Sequence, residues 1–389
     1  MAPKKDPVLP NNGLAGTATI LRDNAVREFG ESYVKTTDAF RHILRGVPLQ
    51  GLLPLQYLAG IDIVPVHRIL GVVGPWGSTK STFAWELGRL FIQQGGMLIH
   101  IETESKPTDD QPFGLFPDEA FFDKVVIHHA KDADIESCFG SIVWYCQQYE
   151  KACPARNVPL MIVLDSLNAL ISKEAKEASE TGTDPSGYHD ARRAGLIKQK
   201  LQYINNTHLQ NNPITFCIVN HQSADMKSDS SGKPGFSGGN AKKEPGGGYK
   251  DYQTSLKLVL RKSAPQRRSG LKHPVIKMNS GKTAFGPERN KPIEIPFLSE
   301  WVTEPRGMWK IRYDWDAALV YIIADQLLKE NTEGFIDVTG TGNKYSCPQV
   351  DMKGVTASEL GHALQADEAM VDILKDHVLR IMRKEVIVG

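Results

Sequence analysis

The sequence predicts an α/β fold: a mostly parallel, twisted sheet flanked by helices, with a small helical segment before it and a small helix-rich domain after it. Three observations predict it. Six short, nearly all-apolar runs punctuate the middle of the chain. Longer amphipathic stretches lie between them. A glycine-rich turn with a lysine and two hydroxyls joins the first run to the first amphipathic stretch. Apolar runs suit strands buried on both faces, and their alternation with helices implies parallel pairing.

Residues 1–66 read as a polar tail followed by a largely helical segment suited to oligomerisation, with Val26, Phe29, Val34 and Phe40 as its apolar contacts. Residues 67–300 hold the runs: Ile69–Val73, Met97–Ile101, Val125–Ile127, Leu160–Leu164, Ile214–Val219 and Leu256–Leu260. Between them, helical spacing puts Phe83, Leu87, Leu90 and Phe91 on one face. It does the same for Ile135, Phe139, Ile142, Val143 and Cys146, and for Ile197, Leu201 and Ile204. Residues 223–250 break the rhythm. Gly232–Gly248 has seven glycines in seventeen residues and reads as a long mobile loop. Residues 301–389 form the last unit, whose final helix is marked by Met370, Leu374, Val378 and Ile381.

Hydrophobic residues make up 41% of the 389, enough for a sizeable core. No apolar run approaches the ~20 residues that cross a bilayer. The start, MAPKKDPVLPNNG, lacks the apolar segment of a secretory signal. The five cysteines are scattered, which argues against a disulfide framework and for a reducing, cytoplasmic setting. A net charge of +1 hides an asymmetry. Ala224–Lys291 holds fifteen Lys/Arg against five Asp/Glu, and Asp314–Gly389 holds seven against thirteen. A basic middle suits an anionic partner.

The segment ILGVVGPWGSTKSTFAWELGRLF carries the chemistry. Strand, glycine-rich turn, Lys80, the hydroxyls of Ser81 and Thr82, and a helix follow in the order that nucleotide phosphates need. Backbone N–H groups and the helix N-terminus point at the anion. Lys80 would reach the outer phosphates, Ser81 would hold Mg²⁺, and Thr82 would sit near the inner phosphates. The pattern is that of a phosphate-loop (P-loop) NTPase with one departure. The glycine before the lysine is Thr79, which must take its backbone from the α or β region or bear strain.

Three further strands end in polar groups. Asp165 after Leu160–Leu164 can hold the magnesium hydration shell. Glu102 and Glu104 follow Met97–Ile101, and Glu102, nearer the strand end, is the better candidate to orient an attacking water. Asn220, His221 and Gln222 follow Ile214–Val219, where a side chain could touch the γ-phosphate and move the loop beyond.

Together these residues resemble the RecA-type strand-exchange recombinases, most of all the bacteriophage UvsX-like members. The match lies in GPWGSTKST (Gly74–Thr82), HIETE (His100–Glu104), LDSLNAL (Leu164–Leu170), and NHQ with the glycine-rich loop ending GGGYKDYQTSLKLVLRK (Gly246–Lys262). It covers about Leu70 to Phe297. It implies a RecA-like ATPase core with ATP and Mg²⁺ held by Gly74, Pro75, Trp76, Gly77, Ser78, Thr79, Lys80, Ser81 and Thr82. Asp165 would join Ser81 at the metal, Glu102 and Lys80 would be catalytic, and His221 would stand where many members have glutamine. Lys277 and Lys282 would reach the ATP of a neighbouring subunit.

The family holds DNA with two loops, here about 172–195 and 223–248. Arg192, Arg193, Lys227, Lys233, Lys242 and Lys243 would neutralise phosphates and Phe236 would stack on bases. The resemblance further implies a DNA-dependent ATPase that pairs single-stranded with double-stranded DNA as a helical filament. A loading mediator and a single-strand binding protein would be further partners, in a host cytoplasm if the source is a phage. A ring-forming DNA helicase or translocase and a nucleotide-binding regulator with little hydrolysis are the rival readings.

Overall fold

Each of the six apolar runs forms a strand, and all six lie side by side and parallel. The computed structural model describes residues 46–49, 52–104, 119–130, 134–182, 188–224, 242–243, 253–263, 274–285, 292–302, 308–330, 339–341 and 344–366, with isolated residues at 27, 369–370 and 372–373. The chain divides into two units, Met1–Arg45 and Gly46–Gly389. Of the first, only Arg27 is described, in a helix; Val26, Phe29, Val34 and Phe40 lie outside the described residues.

In the larger unit β1 (Gly46–Pro48) and β2 (Ile63–Pro65) pair antiparallel around a short helix, α1 (Leu53–Ala59). Then come β3 (Arg68–Gly74), α2 (Lys80–Gln93), β4 (Met97–Glu102), β5 (Val125–His129), α3 (Ile135–Ala152) and β6 (Leu160–Asp165). They are followed by α4 (Lys173–Glu180), α5 (Tyr188–Thr207), β7 (Ile214–His221), β8 (Ser223–Ala224) and β9 (Lys242–Lys243). Four more strands come next: β10 (Thr254–Ser263), β11 (Val275–Thr283), β12 (Ile293–Val302) and β13 (Met308–Tyr313). The chain continues through α6 (Trp315–Glu330), β14 (Thr339–Thr341), β15 (Lys344–Cys347), β16 (Met352–Val355) and α7 (Ala357–Ala366).

The described residues form a nine-stranded sheet in the order β13-β12-β11-β10-β3-β7-β6-β4-β5. From β10 to β5 the pairing is parallel, and from β10 to β13 it is antiparallel. The antiparallel extension has no apolar run to announce it. Its inward residues alternate with polar ones, as Ile276-Lys277-Met278 does, so it lacks the continuous apolar signature of the doubly covered strands.

Side-chain alternation sorts the sheet into two cores. On one face Leu98, Met161, Val163, Cys217 and Val219 meet Phe83, Trp85, Leu87 and Phe91 of α2. On the other, Ile99, Ile101, Ile162, Leu164, Phe216 and Ile218 meet Phe139, Ile142 and Cys146 of α3 and Ile197, Leu201 and Ile204 of α5. Each such fully buried side chain contributes about 1.5–3 kcal/mol. Ile293, Ile295 and Tyr313 of the extension join the first core, so the sheet curls back over α2 and buries it on nearly every side.

Residues 46–66, grouped with the N-terminal segment on sequence, send Val47, Leu49, Leu52, Leu55, Tyr57 and Leu58 into that same core. Helix α6 serves two cores: Trp315, Ala318 and Ile322 enter the first, while Ala317, Leu319, Val320 and Ile323 pack with Leu360 and Leu364 of α7 and with Met370. The C-terminal part adds a three-stranded antiparallel sheet, β14-β15-β16, to its helices. Leu374, Val378 and Ile381 lie outside the described residues. Among the described residues no helix is long and apolar enough to cross a membrane.

Candidate functional site

Strand β3 ends at Gly74, residues 75–79 turn, and α2 starts at Lys80. Gly74 is required by packing: a Cβ there would lie 2.2 Å from the Leu260 carbonyl oxygen and 2.6 Å from Ser78 Oγ. Its own carbonyl accepts the Gln222 N–H at 3.0 Å, tying the loop to the end of β7. Ser78 Oγ donates to the Pro75 carbonyl at 2.7 Å, and Lys80 Nζ donates to that carbonyl at 2.9 Å. The lysine therefore folds back over the loop, 5% exposed. Ser81 is half-buried and Thr82 is buried.

Gly77 (φ 69°) and Thr79 (φ 63°) both take the left-handed region. Alternation of that kind turns successive N–H groups inward and makes an anion-binding concavity. Thr79 thus bears the strain that a glycine would avoid, about 1–2 kcal/mol for a residue with a Cβ. Tyr313 contacts it there. The Tyr313 hydroxyl donates to the Thr79 carbonyl at 2.8 Å and lies 2.8 Å from Thr79 Oγ1.

Strand register gathers the acidic ends. Gly74 pairs with His221 across β3–β7, Val219 with Asp165 across β7–β6, and Asp165 with Glu102 across β6–β4. Ligands of parallel sheets bind at this carboxyl edge. Glu102 and Asp165 are each 1% exposed. Between them lies His100, two residues before Glu102 on the same face, stacked on Trp85 at 4.4 Å. Its Nε2 is 4.0 Å from Glu102 Oε2 and 3.8 Å from Asp165 Oδ2.

Neither oxygen of Asp165 accepts a hydrogen bond among the described residues. A buried carboxylate without donors is costly and fits a cation or its hydration shell. One donor atom each from His100, Glu102 and Asp165 lie within 4.8 Å of one another. His100 was not singled out on sequence, although its spacing to Glu102 on a strand was a readable signal.

Thr103 splices the two strand ends. Its N–H donates to the Asp165 carbonyl at 2.8 Å and its hydroxyl to the Ser166 carbonyl at 2.7 Å. Glu102 Oε1 accepts the Glu104 N–H at 2.7 Å, so part of its carboxylate is spent on the turn that follows. Glu104 points the other way, into a cleft lined by Trp76, Asn168, Lys176 and His221 among others. Glu104 Oε1 lies 2.8 Å from His221 Nε2 and also accepts the Ser166 hydroxyl. Trp76, 79% exposed, stacks on the His221 ring at 5.8 Å. Asn220 is buried, and its Oδ1 accepts the His221 N–H at 3.1 Å.

The remaining described candidate residues have partners of their own. Lys277 pairs with Glu294 across β11–β12 at 3.0 Å, and Lys282 stands opposite Lys257. The segment 172–195, expected as a mobile loop, is helical over Lys173–Glu180 and again from Tyr188. Ser172 caps the first of these helices by accepting the Ala175 N–H, and Glu174 lies in its first turn, both favourable to a helix start. Arg192 is paired with Glu174. Arg193 Nη2 donates to the Leu167 and Asn168 carbonyls at 3.1 Å each, so it clamps the end of β6 to α5. Lys242 and Lys243 form β9, paired with Ser223–Ala224. Lys227, Lys233 and Phe236 lie outside the described residues. Compared with models of known protein families and with curated proteins, the chain matches none.

Proposed function

We propose that this chain is an ATP-dependent DNA recombinase of the RecA type, most like the bacteriophage UvsX-like members. It would form filaments on single-stranded DNA and drive pairing and strand exchange with a homologous duplex. The observation that carries this reading is the buried Lys80, folded over a glycine loop with two left-handed residues, on a sheet edge that also gathers Asp165, Glu104 and His221. A phosphate-loop NTPase needs such a loop and lysine, an acidic strand end for the metal and a group to orient the water.

In this reading the backbone N–H groups of the loop Gly74–Thr79, Pro75 excepted because it has none, cradle the phosphates. Lys80 exchanges the Pro75 carbonyl for β- and γ-phosphate oxygens. Ser81 and Asp165 hold Mg²⁺, which, when bound, would draw off phosphate charge; the donor-poor Asp165 carboxylate suits that role. His221, stacked under Trp76, would sense the γ-phosphate and pass its presence to β8 and the glycine-rich segment beyond it.

The sequence favoured Glu102 to orient the attacking water. Burial and hydrogen bonding favour Glu104 instead. Glu102 is sealed among His100, Asp165 and the Glu104 N–H, whereas Glu104 faces the cleft beside His221. A water must reach the carboxylate that orients it.

Electron microscopy with single-stranded DNA and a non-hydrolysable ATP analogue tests the function. Helical filaments support the recombinase; closed rings point to a helicase and overturn it. A Lys80→Ala variant that hydrolysed ATP normally would overturn the site.

A further inference from the structure

We infer that Tyr313 is a positioning residue for the phosphate loop: it holds Thr79 in the left-handed turn on which the anion cradle depends, and so makes the start of the C-terminal part a component of the site. The inference rests on the reading that this loop binds phosphate. Thr79 is N-cap of α2 with φ 63° and ψ 24°, and no side-chain cap bond forms there. A β-branched residue is a poor occupant of that region. Left alone, its peptide would relax and turn the neighbouring N–H groups out of the cradle.

Tyr313 meets both ends of the problem. Its hydroxyl donates to the Thr79 carbonyl and touches Thr79 Oγ1, each at 2.8 Å, while Thr79 Oγ1 donates to the Ser78 carbonyl at 2.6 Å. The Thr79 carbonyl also accepts the Phe83 N–H at 3.0 Å, so the clamp acts on the first bond of the helix. The ring is fixed by packing. It meets Phe83 edge-on at 5.8 Å, Phe297 at 5.2 Å and Trp315 at 5.5 Å. Burial pushes the hydroxyl well above the ordinary tyrosine value, so it stays a donor throughout the usable pH range.

The placement is not local. Tyr313 ends β13, the far edge of the antiparallel extension, four positions from β3 in the sheet. It reaches Thr79 only because the extension curls back over α2. The next residue, Asp314, accepts the Ala317 N–H at 3.0 Å and caps α6. Repacking of α6 would therefore reach the loop through the Tyr313 hydroxyl, beside the direct packing of Trp315 on Phe83 at 6.4 Å.

A comparison of four full-length proteins tests this: wild type, Tyr313→Phe, Thr79→Gly and the double variant, titrated with a fluorescent ATP analogue and Mg²⁺. Tyr313→Phe keeps the ring and removes the hydroxyl. It is expected to weaken binding by about tenfold in the parent, the size of one lost hydrogen bond, and by no more than about twofold in the Thr79→Gly background, where the turn needs no clamp. Equal losses in both backgrounds, as a general structural role would give, overturn the inference; so does parent-like binding by Tyr313→Phe.

Lys80→Ala reads the premise separately. If neither wild type nor Lys80→Ala binds nucleotide, the phosphate reading falls. Urea midpoints of the four proteins then decide the clamp: a larger drop for Tyr313→Phe in the parent than in the Thr79→Gly background supports it, and equal drops overturn it.

Discussion

Glu104 Oε1 lies 2.8 Å from His221 Nε2, and the same oxygen accepts the Ser166 hydroxyl. One carboxylate thereby links residues just beyond or at the ends of β4, β6 and β7, and it does so on the cleft side. Glu104→Gln is expected to lower ATP turnover by about 100-fold or more while nucleotide binding persists, since a positioned acid or base is commonly worth that much. Glu102→Gln should act chiefly on stability, because its carboxylate is sealed between His100 and the following turn. Single-turnover phosphate release on both variants decides between them. Lost turnover in Glu102→Gln with normal turnover in Glu104→Gln would reverse the assignment.

Arg192 and Arg193 adjoin in sequence and part in structure. Arg192 is half exposed on α5 with Glu174 as its partner, whereas Arg193 is tied to the Leu167 and Asn168 carbonyls. If this face meets DNA, Arg192→Ala should reduce the slope of log affinity against log salt by about 1, the value for one phosphate contact. Arg193→Ala should cost about 1.5–3 kcal/mol of stability, since its bonds come from a charged donor. Salt titration of DNA binding and urea unfolding separate the two effects.

The parallel half of the sheet was legible because burial on both faces leaves strands with no polar period to mislead. The loop was legible because its glycines, lysine and hydroxyls sit in one short stretch. Two things were not. The strands β11–β13 alternate polar and apolar residues and carry Lys277 and Lys282, which drew attention as charges rather than as a ladder. Glu102 outranked Glu104 because distance from the strand end was the measure available. The turn that sends Glu104 outward depends on Thr103 bridging to β6, a contact between residues 63 apart. The helices in 172–195 were masked by their polarity: α4 has no buried residue at all.

Asp134 gives a pH signature for the second core. Its side chain accepts the Ser137 N–H at 2.7 Å at the head of α3. Burial alone would raise its carboxyl, but the Ser137 hydrogen bonds, with the residue's own N–H and the charge of Lys176, together hold the folded-state value below the ordinary 3.8. A depressed folded value means the contribution is complete above the unfolded value and is lost as pH falls through the folded one. Asp134→Ala should therefore cost about 1 kcal/mol near neutral pH, as for other N-caps. The gap between variant and parent should narrow on acidification from about pH 4 downward. Urea midpoints from pH 7 to pH 2 check it, and a gap that widens in acid would contradict the sign.

Two glycines of the loop make a matched pair. At Gly77 an added Cβ meets nothing within 4 Å, and the penalty is the positive φ alone. At Gly74 φ is ordinary, but the Cβ would press on the Leu260 carbonyl at 2.2 Å, backbone of the adjoining β10 that cannot swing aside. Gly77→Ala should lose about 1–2 kcal/mol of stability, the cost of left-handed backbone, and keep measurable nucleotide binding. Gly74→Ala must separate β3 from β10 or displace the loop, so it should lose more than about 3 kcal/mol, in the range of severe overpacking, and bind nucleotide far more weakly. Folded fraction by circular dichroism and affinity by nucleotide titration on the two variants test the ranking. A Gly74→Ala protein as stable as Gly77→Ala would mean that β3 and β10 are not packed as tightly behind the loop as the Leu260 contact requires.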